Sequence, residues 1–244
     1  MKKTFFALIS LFCLSFVFVS CGPSYNSIKR MQKMEEGVGN PVTKEELSEA
    51  IKKYDERALD LVTTQAQEGM WYKILGTRYL DERMYGKALE CFQRAIEFYP
   101  MNANLYYHVA VCAVYIANSQ LDYSASGGAE ASLKSGNYLK LSEKAYLRAL
   151  EIDPKYYKAM YGIGVLYAFQ TGEYEKGIPY LEKFLTVQTK DTNGMFVLAR
   201  CYFATGEFQK AIDLYDKIIE IKPNSEKVSE AEANKKVCLD YMQN

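Results

Sequence analysis

From about residue 69 the chain repeats itself roughly every 34 residues, and no other feature limits its fold as strongly. In 69–102, Tyr72, Leu75, Gly76 and Tyr79 are followed by Tyr85, Ala88, Phe92, Ala95 and a closing Pro100. The unit 192–225 repeats the order with Leu198, Ala199, Tyr202, Gly206, Phe208, Ala211, Tyr215 and Pro223. The unit 157–191 offers Ile163, Gly164, Tyr167, Gly172, Tyr174, Gly177 and Leu181, with one extra residue that is expected in the turn, and Thr189 in place of the closing proline. The unit 103–156 begins in phase with Tyr106, Val109 and Ala110 and ends with Tyr146, Ala149 and Pro154. Its closing proline lies 54 residues after Pro100, a surplus of twenty over the period. The surplus falls near 121–140, where Ser-Ala-Ser-Gly-Gly and Lys-Ser-Gly-Asn predict a surface loop or an extended hairpin tip. The spacing is that of helix pairs. Small residues mark close helix crossings, and aromatics fill the holes beside them. A unit built this way leaves one face open, so the units must stack to bury it.

These residues resemble the tetratricopeptide repeat, in which helix A carries a large residue, Leu-Gly and Tyr, helix B carries Ala, an aromatic and Ala, and Pro closes the unit. The only departure in the first unit is Arg83, which stands where the turn glycine belongs. The resemblance covers 69–225 and implies an all-α tetratricopeptide repeat solenoid of about four helix pairs. Such a stack needs covered ends. Thr43 followed by Glu46 predicts a capping box, and the Gly- and Pro-free run after it predicts an N-terminal capping helix region over 43–68. Val228, Ala231, Val237, Cys238 and Tyr241 form an apolar stripe that predicts a C-terminal capping helix over 226–244.

The first residues read as an address. Met1-Lys2-Lys3 precedes an uncharged, mostly apolar run to Ser20, which is short for a spanning helix and predicts a signal peptide over 1–20. Val19, Ser20 and Cys21 resemble the lipobox of bacterial lipoproteins, which implies cleavage before Cys21 and acylation of its thiol. The alternative is an uncleaved signal anchor. Either places the body in the bacterial cell envelope, held on a membrane and facing the periplasm, and Gly22 in place of Asp favours the outer membrane. Several acyl chains hold far more firmly than one. Residues 21–42, with Gly22, Pro23, Gly37, Gly39 and Pro41, predict the lipidated Cys and a flexible tether with a reach of roughly 25 Å.

Charge narrows the partners. Lys+Arg and Asp+Glu balance at 30 each, so a basic face for nucleic acid is not expected. One histidine, no close cysteine pair and no nucleophile motif argue against an enzyme, and no cofactor or metal is expected. Cys91, Cys112, Cys201 and Cys238 read as buried thiols, with a Cys91–Cys112 or Cys201–Cys238 bridge as the alternative.

The resemblance also implies a ligand face, formed by the inward positions of each helix A. These are Lys73, Thr77 and Leu80; Asn104, Tyr107, Val111, Val114 and Tyr115; Lys158, Tyr161, Val165, Ala168 and Phe169; and Asn193, Phe196, Arg200 and Phe203. Such an aromatic and aliphatic groove suits an extended segment or helix with apolar anchors. Packing between neighbouring repeats is the alternative use of the same side chains. Relatives that grip a C-terminal carboxylate use Lys and Asn at fixed positions. Lys73 and Lys158 match two, but Thr77, His108 and Gly162 break the pattern, so carboxylate capture is not expected. The function implied is a protein–protein interaction scaffold or assembly adaptor binding an envelope protein or peptide segment. The alternative is a carrier of a lipid or hydrophobic small molecule associated with a transporter.

Overall fold

The computed structural model describes residues 43–124 and 128–243. The expected signal peptide, the expected lipidation site Cys21 and the expected tether lie outside the described residues. The chain divides into two units, 1–61 and 62–244.

Helix α1 (Lys44–Asp81) spans that boundary. Its start is the expected capping box. The Glu46 amide donates to Thr43 Oγ1 at 3.2 Å, and the Thr43 amide donates to Glu46 Oε2 at 3.1 Å. The expected division between a covering helix and the first repeat is absent, because α1 runs through 68 and 69 without a break. The only interruption there is Gly69, and a lone glycine weakens a helix without ending it. Gly69 and Gly76 are instead the buried positions of α1, where Cys91, Phe92 and Phe98 of the next helix and Tyr99 just after it press on its backbone.

The second unit continues with α2 (Tyr85–Phe98), α3 (Ala103–Ser124), α4 (Gly128–Ile152) and α5 (Tyr157–Val165). After α5 come a π-helical segment (Leu166–Thr171), α6 (Tyr174–Val187), α7 (Thr192–Ala204), α8 (Phe208–Ile221) and α9 (Ser225–Gln243). Neighbours in sequence are the principal packing partners. Two buried clusters result. One joins α2 to α5 around Phe92, Leu105, Ile163 and Leu166, and the other joins the later helices around Leu181, Leu198, Ile218 and Cys238.

Of the two expected forms, the twenty surplus residues take the extended hairpin and not the surface loop, because they lengthen its two helices. Helices α3 and α4 have 22 and 25 residues, against 13 and 14 for α7 and α8, so they are longer by nine and eleven. Residues 125–127, between α3 and α4 in sequence, lie outside the described residues. Gly136 sits within α4 with nothing near its missing side chain, so the sequence's apparent breaker is only a weak spot in a helix.

The extra residue of the third unit is likewise not in the turn. The connection after Thr171 is only Gly172 and Glu173, and the helix absorbs the residue as its π-helical end. Gly172 and Gly206 close their turns at φ +70° and +79°, and Arg83 takes the same left-handed conformation at φ 60°. The third helix pair crosses closely. A side chain on Gly164 would strike Leu181 at 2.4 Å, and one on Gly177 would lie 3.4 Å from the Gly164 carbonyl.

Candidate functional site

On α7, Phe196, Arg200 and Phe203 recur at i, i+4 and i+7 and share one side of the helix. The opposite side, with Leu198, Ala199 and Cys201, is buried in the second cluster. The exposed side of α7 forms one wall of an open cavity of about 280 Å³. Phe169, on the π-helical turn, and Tyr215, from α8, add to the wall. The far wall is α9, which brings Glu230, Asn234, Val237 and Cys238.

Aromatic contacts fix this lining. Phe196 lies 6.1 Å from Tyr215, and Phe203 meets Phe208 and Tyr241 edge-on at 5.4 and 5.2 Å. The guanidinium carbon of Arg200 stands 4.8 Å from the centroid of Phe169, a cation–π contact. Phe169 nevertheless remains 53 % exposed. Burial raises the Tyr215 phenol to about 12, so it stays neutral, as a hydrogen-bonding group must in an apolar wall. Four of the residues expected on the ligand face, Phe169, Phe196, Arg200 and Phe203, therefore meet in one cavity.

The others are placed differently. Tyr161 is half-buried with its ring 5.1 Å from Phe184, and Val165 packs on the second cluster. Ala168 is buried. Tyr115 stacks on Tyr85 at 4.4 Å, and Val111 packs against the first cluster. Tyr107 is edge-on to Tyr156 at 5.7 Å, and desolvation raises its pKa. Lys73 is half-buried and Lys158 exposed. Both act on His108, whose ring stacks on Phe92 at 4.8 Å. Burial first, then these two lysines, push His108 down to about 4, so it is neutral near pH 7. Its Nδ1 is buried without a hydrogen-bond partner. Gly162 carries the reason a carboxylate grip cannot be completed by a side chain there: a Cβ would lie 2.5 Å from the Tyr146 ring.

The contribution of α9 was missed from sequence, where the segment reads only as a cap. Its signal was present, since Glu230, Asn234 and Val237 share one helix face. The thiols of Cys91, Cys112, Cys201 and Cys238 are free and buried, so neither alternative bridge forms. Among the described residues, no group of three or more His, Cys, Asp or Glu side chains is placed to hold a metal ion.

A model of the tetratricopeptide repeat family matches residues 168–234, the stretch that builds most of this cavity. The chain is a tetratricopeptide repeat protein. A TPR repeat-containing protein of Borreliella burgdorferi is 22 % identical over 215 residues, covering 86 % of this chain and 90 % of that one. A second, from Methanocaldococcus jannaschii, is 27 % identical over 165 residues, but they make up 61 % of this chain and only 28 % of that relative. Among solved structures, MamA 41-end from Desulfovibrio magneticus superposes with a TM-score of 0.55 at 14 % identity, covering 72 % of this chain and 92 % of the other. YrrB, described as a TPR protein with an unusual peptide-binding site, superposes with a TM-score of 0.53 at 19 % identity over 85 % of this chain and 88 % of its own. At these identities the solved structures establish the tetratricopeptide fold alone. A protein–protein interaction scaffold is the function that this fold supports.

Proposed function

We propose that this chain is a non-enzymatic adaptor of the bacterial cell envelope, anchored through lipid on Cys21. Its body would capture a peptide segment of an envelope protein in the cavity between α7, α8 and α9. The anchor rests on the sequence from Met1 to Cys21, and the tether of 21–42 gives the body reach from the membrane. Among the described residues no helix is long and apolar enough to cross a membrane.

The observation that carries the binding reading is the cavity, with Phe169, Phe196, Phe203 and Tyr215 around its apolar wall and Arg200 on the same wall. It has the volume of one or two side chains rather than of a whole ligand. That suits an aromatic or branched aliphatic anchor, with the rest of the segment crossing the helix A face. Among the described residues Arg200 has a ring contact but no carboxylate partner, so an acidic residue beside the anchor completes it. Glu230 and Asn234 add hydrogen-bonding groups that an acyl chain cannot use, which favours a peptide over the hydrophobic-carrier alternative.

Selection of displayed random peptides against the chain tests this. The expected winners carry an apolar anchor with a nearby Asp or Glu. Phe203→Ala weakens them by about thirtyfold, as loss of a hot-spot ring does, and Arg200→Ala by about tenfold. Peptides indifferent to both substitutions would place binding elsewhere. The anchor is tested separately by incorporation of labelled palmitate, which Cys21→Ser should abolish.

A further inference from the structure

Helix α1 has a second apolar face, unrelated to the cavity, whose chemistry is complementary to its own reversal. Glu68, Trp71, Leu75 and Arg78 follow one another at steps of three, four and three, the spacing of a coiled-coil seam. At 100° per residue the four lie within about 80° of arc, roughly 130° around the helix from Gly69 and Gly76, where α1 meets α2. Trp71 is 60 % exposed and Leu75 41 % exposed. Both are large for solvent-facing positions on an ordered helix, and together with Ile74 they make a continuous patch. The charges at its two ends, Glu68 and Arg78, have no ion-pair partner among the described residues.

We infer that α1 docks antiparallel on α1 of a second copy of this chain, about a two-fold axis midway between Trp71 and Leu75. In that register each Trp71 packs on the partner copy's Leu75, and each Glu68 meets an Arg78 at both ends of the contact. The pairing follows from the order of the residues. A two-fold axis needs a surface complementary to itself. A stripe running acid, Trp, Leu, base satisfies this only when the helices are antiparallel, since a parallel pair would set Glu68 against Glu68. Antiparallel seams also match first-type with second-type heptad positions, which are here 68 with 78 and 71 with 75. A contact of two to three turns is small for a stable interface, so a dissociation constant in the micromolar range, about 10 µM, is expected.

Sedimentation equilibrium of the full chain in neutral detergent, followed in parallel by tryptophan emission, tests this. The chain has a single Trp, so its emission reports on this face and on no other. The native chain should form a dimer with a blue shift that tracks the dimer fraction. Glu68→Arg and Arg78→Glu should each raise the dissociation constant about tenfold, because like charges then face each other twice. The double exchange, Glu68→Arg with Arg78→Glu, should restore it to within about threefold, since the salt-bridge pairs re-form in reverse. Both side chains are exposed, so the fold is not at stake. A chain that stays monomeric at high micromolar concentration overturns the proposal and leaves the face to another partner. A dimer that ignores the charge changes, or single losses that the double exchange does not repair, overturns it equally.

Discussion

Adding one methyl group at Gly164 should unsettle the whole stack, while the same change at Gly136 should strengthen it. In a helix, Gly→Ala gains about 1 kcal/mol from propensity when nothing else changes. At Gly164 something must change. The new Cβ would fall 2.4 Å from Leu181 Cγ and 2.5 Å from its Cδ2, whereas carbon atoms sit comfortably at about 3.5–4 Å. Leu181 is fully buried and cannot swing into solvent, so α5 and α6 must separate by about 1 Å. Overpacking of this kind costs about 1–3 kcal/mol. The overlap falls on two branch atoms of a side chain with no free space around it, so the upper end applies. After the propensity gain, a net loss of about 2 kcal/mol remains. For a domain of this size that is a fall of about 4–8 °C in Tm. Gly136 has nothing within 4 Å, so Gly136→Ala should gain about 1 kcal/mol and 2–4 °C. Urea titrations followed by far-UV circular dichroism measure both. A Gly164→Ala chain as stable as the native one, or two substitutions shifting stability in the same direction, would refute the close crossing of α5 and α6.

Further outcomes follow from the turns, the histidine and the thiols. Arg83→Gly should raise stability by about 1 kcal/mol, because Arg83 holds a left-handed turn at φ 60° that glycine adopts without cost; thermal unfolding checks this, and an unchanged or lower Tm would speak against it. The unfolded His108 takes up a proton near pH 6.5, but the folded one only near 4. Its contribution is therefore complete above about pH 6.5, is lost as pH falls toward 4, and amounts to about 2 kcal/mol after allowance for the ring's partial exposure. His108→Phe, which keeps a ring on Phe92, should remove that part of the slope, so urea midpoints of the two chains should converge at pH 7 and diverge at pH 4.5 in favour of the variant. Burial pushes Cys112 up to about 12 and Cys201 up to about 11, and both are fully buried. A thiol reagent should reach them only in urea, and mass analysis of native labelling that finds either one modified would contradict the packing.

The sequence made the repeat positions legible because each is fixed by a local contact that recurs. Gly76, Ala110, Gly164 and Ala199 fall at the same place in successive A helices and all are buried, so their period survives divergence elsewhere. Arg83 was legible as the glycine's substitute for the same reason, since the turn around it is unchanged. What the sequence concealed depends on neighbours remote in the chain. Ser-Gly-rich stretches near 121–140 read as breakers, yet α3 and α4 pair along their length, and tertiary packing outweighs a weak propensity. The extra residue of the third unit could sit in turn or helix without altering the residue count, and only the π-helical end of that helix places it. The start of the first repeat was hidden because Gly69, read as a boundary, is a packing position inside one long helix. The ligand face was half legible. Helical spacing finds Phe196, Arg200 and Phe203, but only the three-dimensional stack brings α9 across from them and turns Tyr107 and Tyr161 partly into packing.

Whether the face around the cavity meets a protein can be read by photo-crosslinking in living cells from a reactive residue at Phe169 or Tyr161, with Glu90 on the exposed side of α2 as the control position. One envelope protein should be captured from Phe169, more weakly from the half-buried Tyr161, and not from Glu90, and Arg200→Ala should reduce the capture. The same proteins captured from all three positions, or a cavity loaded with lipid and no protein captured at all, would contradict protein binding there.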